Sequence, residues 1–257
     1  MYWEDRMANA QDKLATKNLK EINKQLIKYY RSSAKKVIKG FEDVYNKILL
    51  QEAEGKQITP ALLYKLDTYW ELQSQLSDEA RRLGDKQIEL LSENFEKHFF
   101  DIYNSIALPS GATFNQLNKE AVREIINQVW VADGKNFSQR IWGNTEKLIE
   151  TLNEELIHCV AAGKKTDDLK KILQHRFNVS YHNADSVART ELAHIQTQAA
   201  KQRYVDAGIT KIKVWASPDE RRCDVCGKLH EKEFPANGTM PIPAHTNCRC
   251  CVIPVVE

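Results

Sequence analysis

Residues 19–48 read LKEINKQLIKYYRSSAKKVIKGFEDVYNKI. Their apolar side chains, Leu19, Ile22, Leu26, Tyr30, Ala34, Val37, Phe41, Val44 and Ile48, recur at steps of three and four, which keeps one stripe on one face of a helix. No proline interrupts the run. Gly40 costs about 1 kcal/mol against alanine in a helix interior, a penalty that so long a stripe outweighs. Glu54-Gly55 supplies the expected end. A helix of this length sets the class as mainly α, and the remaining segments are read outward from it.

Thr59-Pro60 has the form of a cap followed by proline at the first helical position, where its missing N–H costs nothing. A second helix carrying Leu63, Leu66, Trp70 and Leu76 is expected to follow, with the pattern restarting near Gly84 as Ile88, Leu91, Phe95, Phe99, Ile102 and Ile106. Leu108-Pro109-Ser110-Gly111 is the clearest break in the first half. Residues 112–208 read as shorter helices, with Ile125, Val129 and Trp130 before Gly134, and Leu148, Leu152, Leu156 and Val160 before Gly163. Thr166-Asp167-Asp168 starts another, its acids opposing the positive helix end, and Ala184 to Tyr204 forms one more. Gly163 and Gly208 stand where helices need a left-handed closing residue.

Beyond Gly208 the period shortens to two. Thr210, Ile212 and Val214 alternate with Lys211, Lys213 and Trp215, the rhythm of a strand with one covered face. Ser217-Pro218-Asp219 reads as a turn, and Cys248 to Val256 as a strand that Pro254 demotes to an edge. The expected organisation is an N-terminal long-helix region (1–110), a central helical region (111–208) and a C-terminal module with short strands (209–257). Together these make an elongated helical body ending in a small α+β module.

The chain is too long for a minimal disulfide scaffold, and its 42% apolar and 28% charged residues exclude a disordered composition. No apolar stretch reaches bilayer length, and acids stand at the amino terminus where a secretory signal carries a basic start. Synthesis in the cytosol, without membrane contact, is expected. The net charge is +2, and basic and acidic side chains nearly balance in residues 1–110, 111–210 and 211–257 alike. No third of the chain supplies the concentrated positive charge of a dedicated nucleic-acid binder.

Cysteine is distributed unevenly: five of six fall in the last 35 residues. Cys223-x2-Cys226 and His245-x2-Cys248 are the pairs that a tetrahedral zinc site uses, each short spacing aiming two donors at one point. Three thiolates and an imidazole fill all four positions, so the expected zinc is structural. The loop between the pairs carries Gly227, Pro235, Gly238, Pro241 and Pro243 and few apolar residues, so metal binding is expected to contribute most of its folding free energy. Cys250 competes with Cys248, since both point to one face of an extended strand while Cys251 points away. Buried thiols, or disulfides formed in an oxidising setting, are the plainer alternatives.

Several motifs in this order resemble the phage head-morphogenesis, or Mu F-like minor head protein, family: Arg189-Thr190-Glu191, Tyr204 to Gly208, Lys213 to Trp215, Asp219 to Cys226, and His245 to Cys250. Tyr2 to Arg6 and Gly134 to Trp142 are similar to minor capsid members from phages of Gram-positive hosts. The sequence departs from the family pattern at Thr246, where proline is usual, and at His230-Glu231, where Asp-Gly is common. The resemblance implies a minor component of a tailed-phage virion that acts in head morphogenesis, with portal, capsid and scaffold proteins as partners and a weak contact with DNA. No catalytic activity is expected, because the metal site is closed and no complete catalytic constellation accompanies it. The alternative of another class is a nuclease or toxin-like transferase delivered with the genome.

Two readings remain open for several side chains. Glu191, His194 and Asp219 form an acid/base group if the chain is an enzyme, whereas Arg189 and Glu191 dock their helix onto the zinc module if it is not. Arg221, Arg222, Lys228 and Arg249 meet phosphates, or are solvated charges interleaved with Asp219, Glu220, Asp224 and Glu231. His98, His158, His175 and His182 lack ligand spacing, and Cys159 reads as a packed thiol.

Overall fold

The computed structural model describes residues 3–55, 61, 65, 67–106, 118–131, 133–216 and 222–255. The Thr59-Pro60 cap, Leu63, Leu66, the Leu108 to Gly111 break, the Ser217 to Asp219 turn and Arg221 lie outside these residues. The order is α1 (Trp3–Ala53), α2 (Asp67–Ser105), α3 (Lys119–Asn127), α4 (Phe137–Ala161), α5 (Thr166–Asp206), β1 (Lys211–Trp215), α6 (Asp224–Leu229), β2 (Glu233–Pro235) and β3 (Cys251–Pro254). The chain is mainly helical, with a small sheet near its carboxy terminus.

By contact the chain gathers into two units, each discontinuous in sequence. One comprises Met1–Asn23, Leu90–Phe137 and Ser186–Glu257, the other Lys24–Glu89 and Ser138–Asp185. The stretches 1–110 and 111–208 each contribute to both units, whereas 209–257 falls wholly in the first.

In the second unit the stripe of α1 is core. Leu26, Tyr30, Val37, Phe41, Val44 and Ile48 are buried, and Tyr45 joins them. The Tyr30 hydroxyl donates to Gln87 Oε1 at 3.1 Å and lies 3.3 Å from Ser180 Oγ, so α1, α2 and α5 meet at one polar point. Gln73 Nε2 donates to Asn153 Oδ1 at 2.7 Å, joining α2 to α4. Ser33 and Lys36 both donate to the nearly buried Glu79 carboxylate.

Three sequence expectations are corrected here. α2 does not restart at Gly84 but runs through it, because glycine there leaves room for the Trp142 ring. A Cβ on Gly84 would lie 2.7 Å from Trp142 Cζ3. Trp70 is 56% exposed, and Tyr69 and Leu72 take the inward positions beside Leu76. Thr166 and Ala184 open a single helix of 41 residues, not two. Its start at Thr166 is as expected, and Gly163 and Gly208, with φ of +57° and +77°, close the helices before them in the left-handed conformation that side chains disfavour.

The first unit is built on α2 from Leu90 onward and α5 from Ser186 onward. Leu91, Phe95, Phe99 and Ile102 are buried, as are Leu192, Ile195, Ala199 and Tyr204. α3 adds Val122 and Ile126, while Val129, expected inward, is 49% exposed. The sheet has the order β2-β1-β3, with β1 antiparallel to both neighbours. Ile212 and Val214 of β1 are fully buried, as the alternation predicts. Pro254 sits on an edge strand, where its lost N–H breaks no ladder. The amino-terminal turns of α1 hold this sheet: Gln11 Nε2 donates to the Val252 carbonyl at 3.2 Å, and Lys213 pairs with Glu4 at 3.4 Å.

Candidate metal centre

Cys223, Cys226, His245, Cys248 and Cys250 lie in the first unit as two overlapping groups, and Cys248 does not share a group with Cys223 and His245. Two overlapping sets have their donor atoms within 4.8 Å of one another: Cys223, Cys226 and His245, and Cys226, Cys248 and Cys250. Cys226 is common to both.

Local structure explains the convergence. Cys223 is the N-cap of α6, and its sulfur accepts a hydrogen bond from the Cys226 backbone at 3.3 Å, which folds the two-residue spacing into a knuckle. On the other side, Asn247 takes a left-handed φ of 62°, turning the chain between His245 and Cys248. Its backbone N–H donates to Thr190 Oγ1 at 3.2 Å, so α5 braces the second knuckle. Cys248 and Cys250 share a face and Cys251 does not. The Cys251 thiol is directed instead to the Trp215 carbonyl at 3.9 Å.

The donor chemistry fits a tetrahedral thiophilic cation. His245 Nδ1 donates to the Thr246 carbonyl at 2.8 Å, leaving the Nε2 lone pair 3.3 Å from Cys226 Sγ. Fixing the tautomer from the far nitrogen is how proteins orient a ligating imidazole. Cys226 and Cys248 sulfurs lie 3.8 Å apart, close to the edge of about 3.7 Å that bonds of 2.3 Å make in a tetrahedron. Burial pushes Cys226 up to about 12, whereas the hydrogen bond from Cys250 brings Cys248 down to about 5 and holds Cys250 up. Cys223 is lowered by the Cys226 backbone N–H, and His245 is raised by its bond to Thr246. A divalent ion would hold sulfurs so placed as thiolates.

The loop between the pairs is less core-poor than its composition indicates, because Ala236 and Ile242 are buried. The short strand β2, which the sequence reading missed, pairs Phe234 with Ile212. Its only local signal is one aromatic residue before a proline.

The acid/base reading fares differently. Glu191 accepts a 2.8 Å hydrogen bond from Trp130 Nε1, and the same indole stacks on His194 at 4.2 Å with an interplanar angle of 1°. Both Glu191 and His194 are buried, and burial lowers His194 to about 4, with Lys201 adding to the shift. Asp219 lies outside the described residues. Of the cations near the cluster, Arg249 pairs with Asp12 at 3.4 Å and Arg222 donates to the Gly227 carbonyl at 3.2 Å. His98 is a satisfied core residue on one side, 2.9 Å from Asn18 Nδ2, and Cys159 is buried.

Residues 150–253 match the family of phage Mu protein F like proteins. The motifs from Arg189 to Cys250 fall inside this span, and those at Tyr2 to Arg6 and Gly134 to Trp142 fall before it. A curated NAD(+)–arginine ADP-ribosyltransferase of Enterococcus faecalis is 24% identical over 159 residues, covering 55% of this chain and 32% of that protein. The chain thus spans about a third of the length of that relative. No solved structure matches. Among the described residues, no helix is long and apolar enough to cross a membrane.

Proposed function

We propose that this chain is a minor head protein of a tailed phage, acting in head morphogenesis in contact with portal, capsid and scaffold proteins. The observation that carries the reading is the match of residues 150–253 to the Mu F-like family, a span that contains α5, all of the sheet but Pro254, and the whole cysteine cluster. The finer reading is that Cys223, Cys226, His245 and Cys248 hold a structural zinc ion, with Cys250 hydrogen-bonded beside them. Zinc there supplies a cross-link between α6 and the segment after His245, turning a proline-rich loop into a rigid docking unit. The body of helices is the surface for partners, and the chain is read as non-catalytic and virion-associated. DNA contact is secondary, since Arg222 and Arg249 already have internal partners.

The test is composition and capture. Mass spectrometry of purified procapsids is expected to find the chain in few copies, and tagged protein is expected to retain the portal protein of the same phage. Cys226→Ser should weaken that capture. Procapsids free of the chain, together with no retained portal protein, would refute the reading.

A transferase is the second reading, favoured by the resemblance to the ADP-ribosyltransferase. Against it, Glu191 and His194 are buried and engaged with Trp130, and the shared segment is a minor part of that relative. Release of nicotinamide from NAD(+) by the purified chain, lost in Glu191→Gln, would favour it.

A further inference from the structure

α1 carries a run of cations that the charge totals conceal. Lys24, Lys28, Arg31, Lys35 and Lys39 follow at steps of four, three, four and four, which sets them on one face of the helix over about 22 Å. All five are exposed, and none has an ion-pair partner among the described residues.

Beside this ridge, within the second unit, α1 and α5 enclose a groove of about 760 Å³. Its floor is apolar, made by Ile27, Ala34 and Ile38 of α1 and Phe177 and Tyr181 of α5. Its rim is basic, with Arg31, Lys35 and Lys39 on one side and Lys170 on the other. Among the described residues Glu42 is the one carboxylate on the rim, and Lys170 neutralises it. Three cations are therefore left facing whatever fills the groove.

We propose that this groove docks an acidic amphipathic helix from a protein partner. A floor of aliphatic and aromatic side chains favours an apolar stripe at helical spacing, and the flanking carboxylates of such a helix reach the unpaired rim cations. The ridge is as long as about four helical turns, so a segment of about 15 residues covers it. Duplex DNA satisfies the cations but leaves the floor unfilled, because its phosphates remain hydrated. This inference stands on the groove alone and does not depend on the family match.

The test uses the full chain and fluorescence anisotropy with three probes at low salt. They are a labelled peptide of roughly 18 residues with leucines at i, i+3, i+4 and i+7 and flanking glutamates, its counterpart with lysines for glutamates, and a duplex of about 20 base pairs. The acidic peptide is expected to bind at least about tenfold more tightly than the basic one. Lys35→Glu with Lys39→Glu, both at exposed positions of α1, should cost about tenfold or more while the far-ultraviolet circular dichroism stays that of the parent. Ile38→Gln, which removes the apolar contact without adding charge, should weaken the peptide and leave any duplex affinity unchanged. Equal binding of the two peptides overturns the proposal. So does a duplex that binds through the same lysines more tightly than the acidic peptide, or a dimer in sedimentation that Ile38→Gln splits.

Discussion

Replacing Gly84 by alanine is expected to destabilise the protein, although alanine is the better helix former. In a helix interior the exchange favours folding by about 1 kcal/mol. Here the new Cβ would lie 2.7 Å from Trp142 Cζ3, 3.0 Å from Cη2 and 3.1 Å from Cε3. Three contacts with one rigid ring are not relieved by turning a flexible end, so the indole or α4 has to move. Overpacking of this kind costs about 1–3 kcal/mol, which leaves a net loss of up to about 2 kcal/mol. At roughly 2–4 °C per kcal/mol for a chain of this size, melting falls by several degrees. The deciding control is Trp142→Ala, since in that background the clash is gone and Gly84→Ala should stabilise by about 1 kcal/mol. Urea unfolding of the four proteins, followed by far-ultraviolet circular dichroism, reads both signs. A stabilising Gly84→Ala in the wild-type background, or the same sign in both, would refute the packing argument.

Protein purified without added metal is expected to carry about one zinc ion per chain by elemental analysis; Cys226→Ser, which removes the thiol common to both donor sets, should abolish it, and Cys159→Ser should not. Burial holds His194 at about 4 in the folded chain against an ordinary 6.5. The unfolded chain therefore takes up that proton first as pH falls, so the stability in question is complete above about pH 6.5 and is lost toward pH 4, by up to about 3 kcal/mol. Urea unfolding at neutral pH and near pH 4.5 should show a smaller difference for His194→Gln than for the parent, and an unchanged difference would show that this imidazole is not the titrating group. Glu231 adopts a φ of 60°, a conformation that disfavours side chains by about 1–2 kcal/mol; Glu231→Gly should raise the melting temperature, and a fall would mean that the glutamate side chain supplies more than its backbone costs.

Periodicity made the helices legible and their joints illegible. The stripe from Ile22 to Ile48 appears as read because local spacing alone decides which face is apolar. Gly84 misled, since glycine in a helix signals either a break or a close neighbour, and the neighbour, Trp142, lies far along the sequence. The merging of Thr166 and Ala184 into one helix went unseen for a related reason: Phe177 and Ala184 continue the buried face through a stretch whose polar residues dilute the pattern. At the cysteine cluster, spacing found both knuckles because each is a local turn. Alternation also put Cys250 on the face of Cys248, but as its competitor; that both stand beside Cys226 depends on how the segment after Asn247 approaches α6. Nor did it reveal that Trp130 covers Glu191 and His194, because nothing in the sequence couples a lone tryptophan to a helix some sixty residues on.

The groove on α1 illustrates how a total can hide a surface. Balanced sums over residues 1–110 argue against a basic patch only if side chains scatter evenly in space, and a helix does the opposite, since it sorts residues by position modulo its turn. In α1, Lys24, Lys28, Arg31, Lys35 and Lys39 all fall on one arc, while Glu42 is neutralised by Lys170 and Asp43 lies off that arc. The cations that remain are therefore adjacent, without an ion-pair partner among the described residues, and beside an apolar floor. Each unpaired lysine keeps the protein soluble at little cost while free, and each loses hydration only when an anion replaces water. A surface of that kind discriminates by what comes with the anion: a carboxylate on an amphipathic helix brings its own apolar stripe to the floor, and a phosphate brings water.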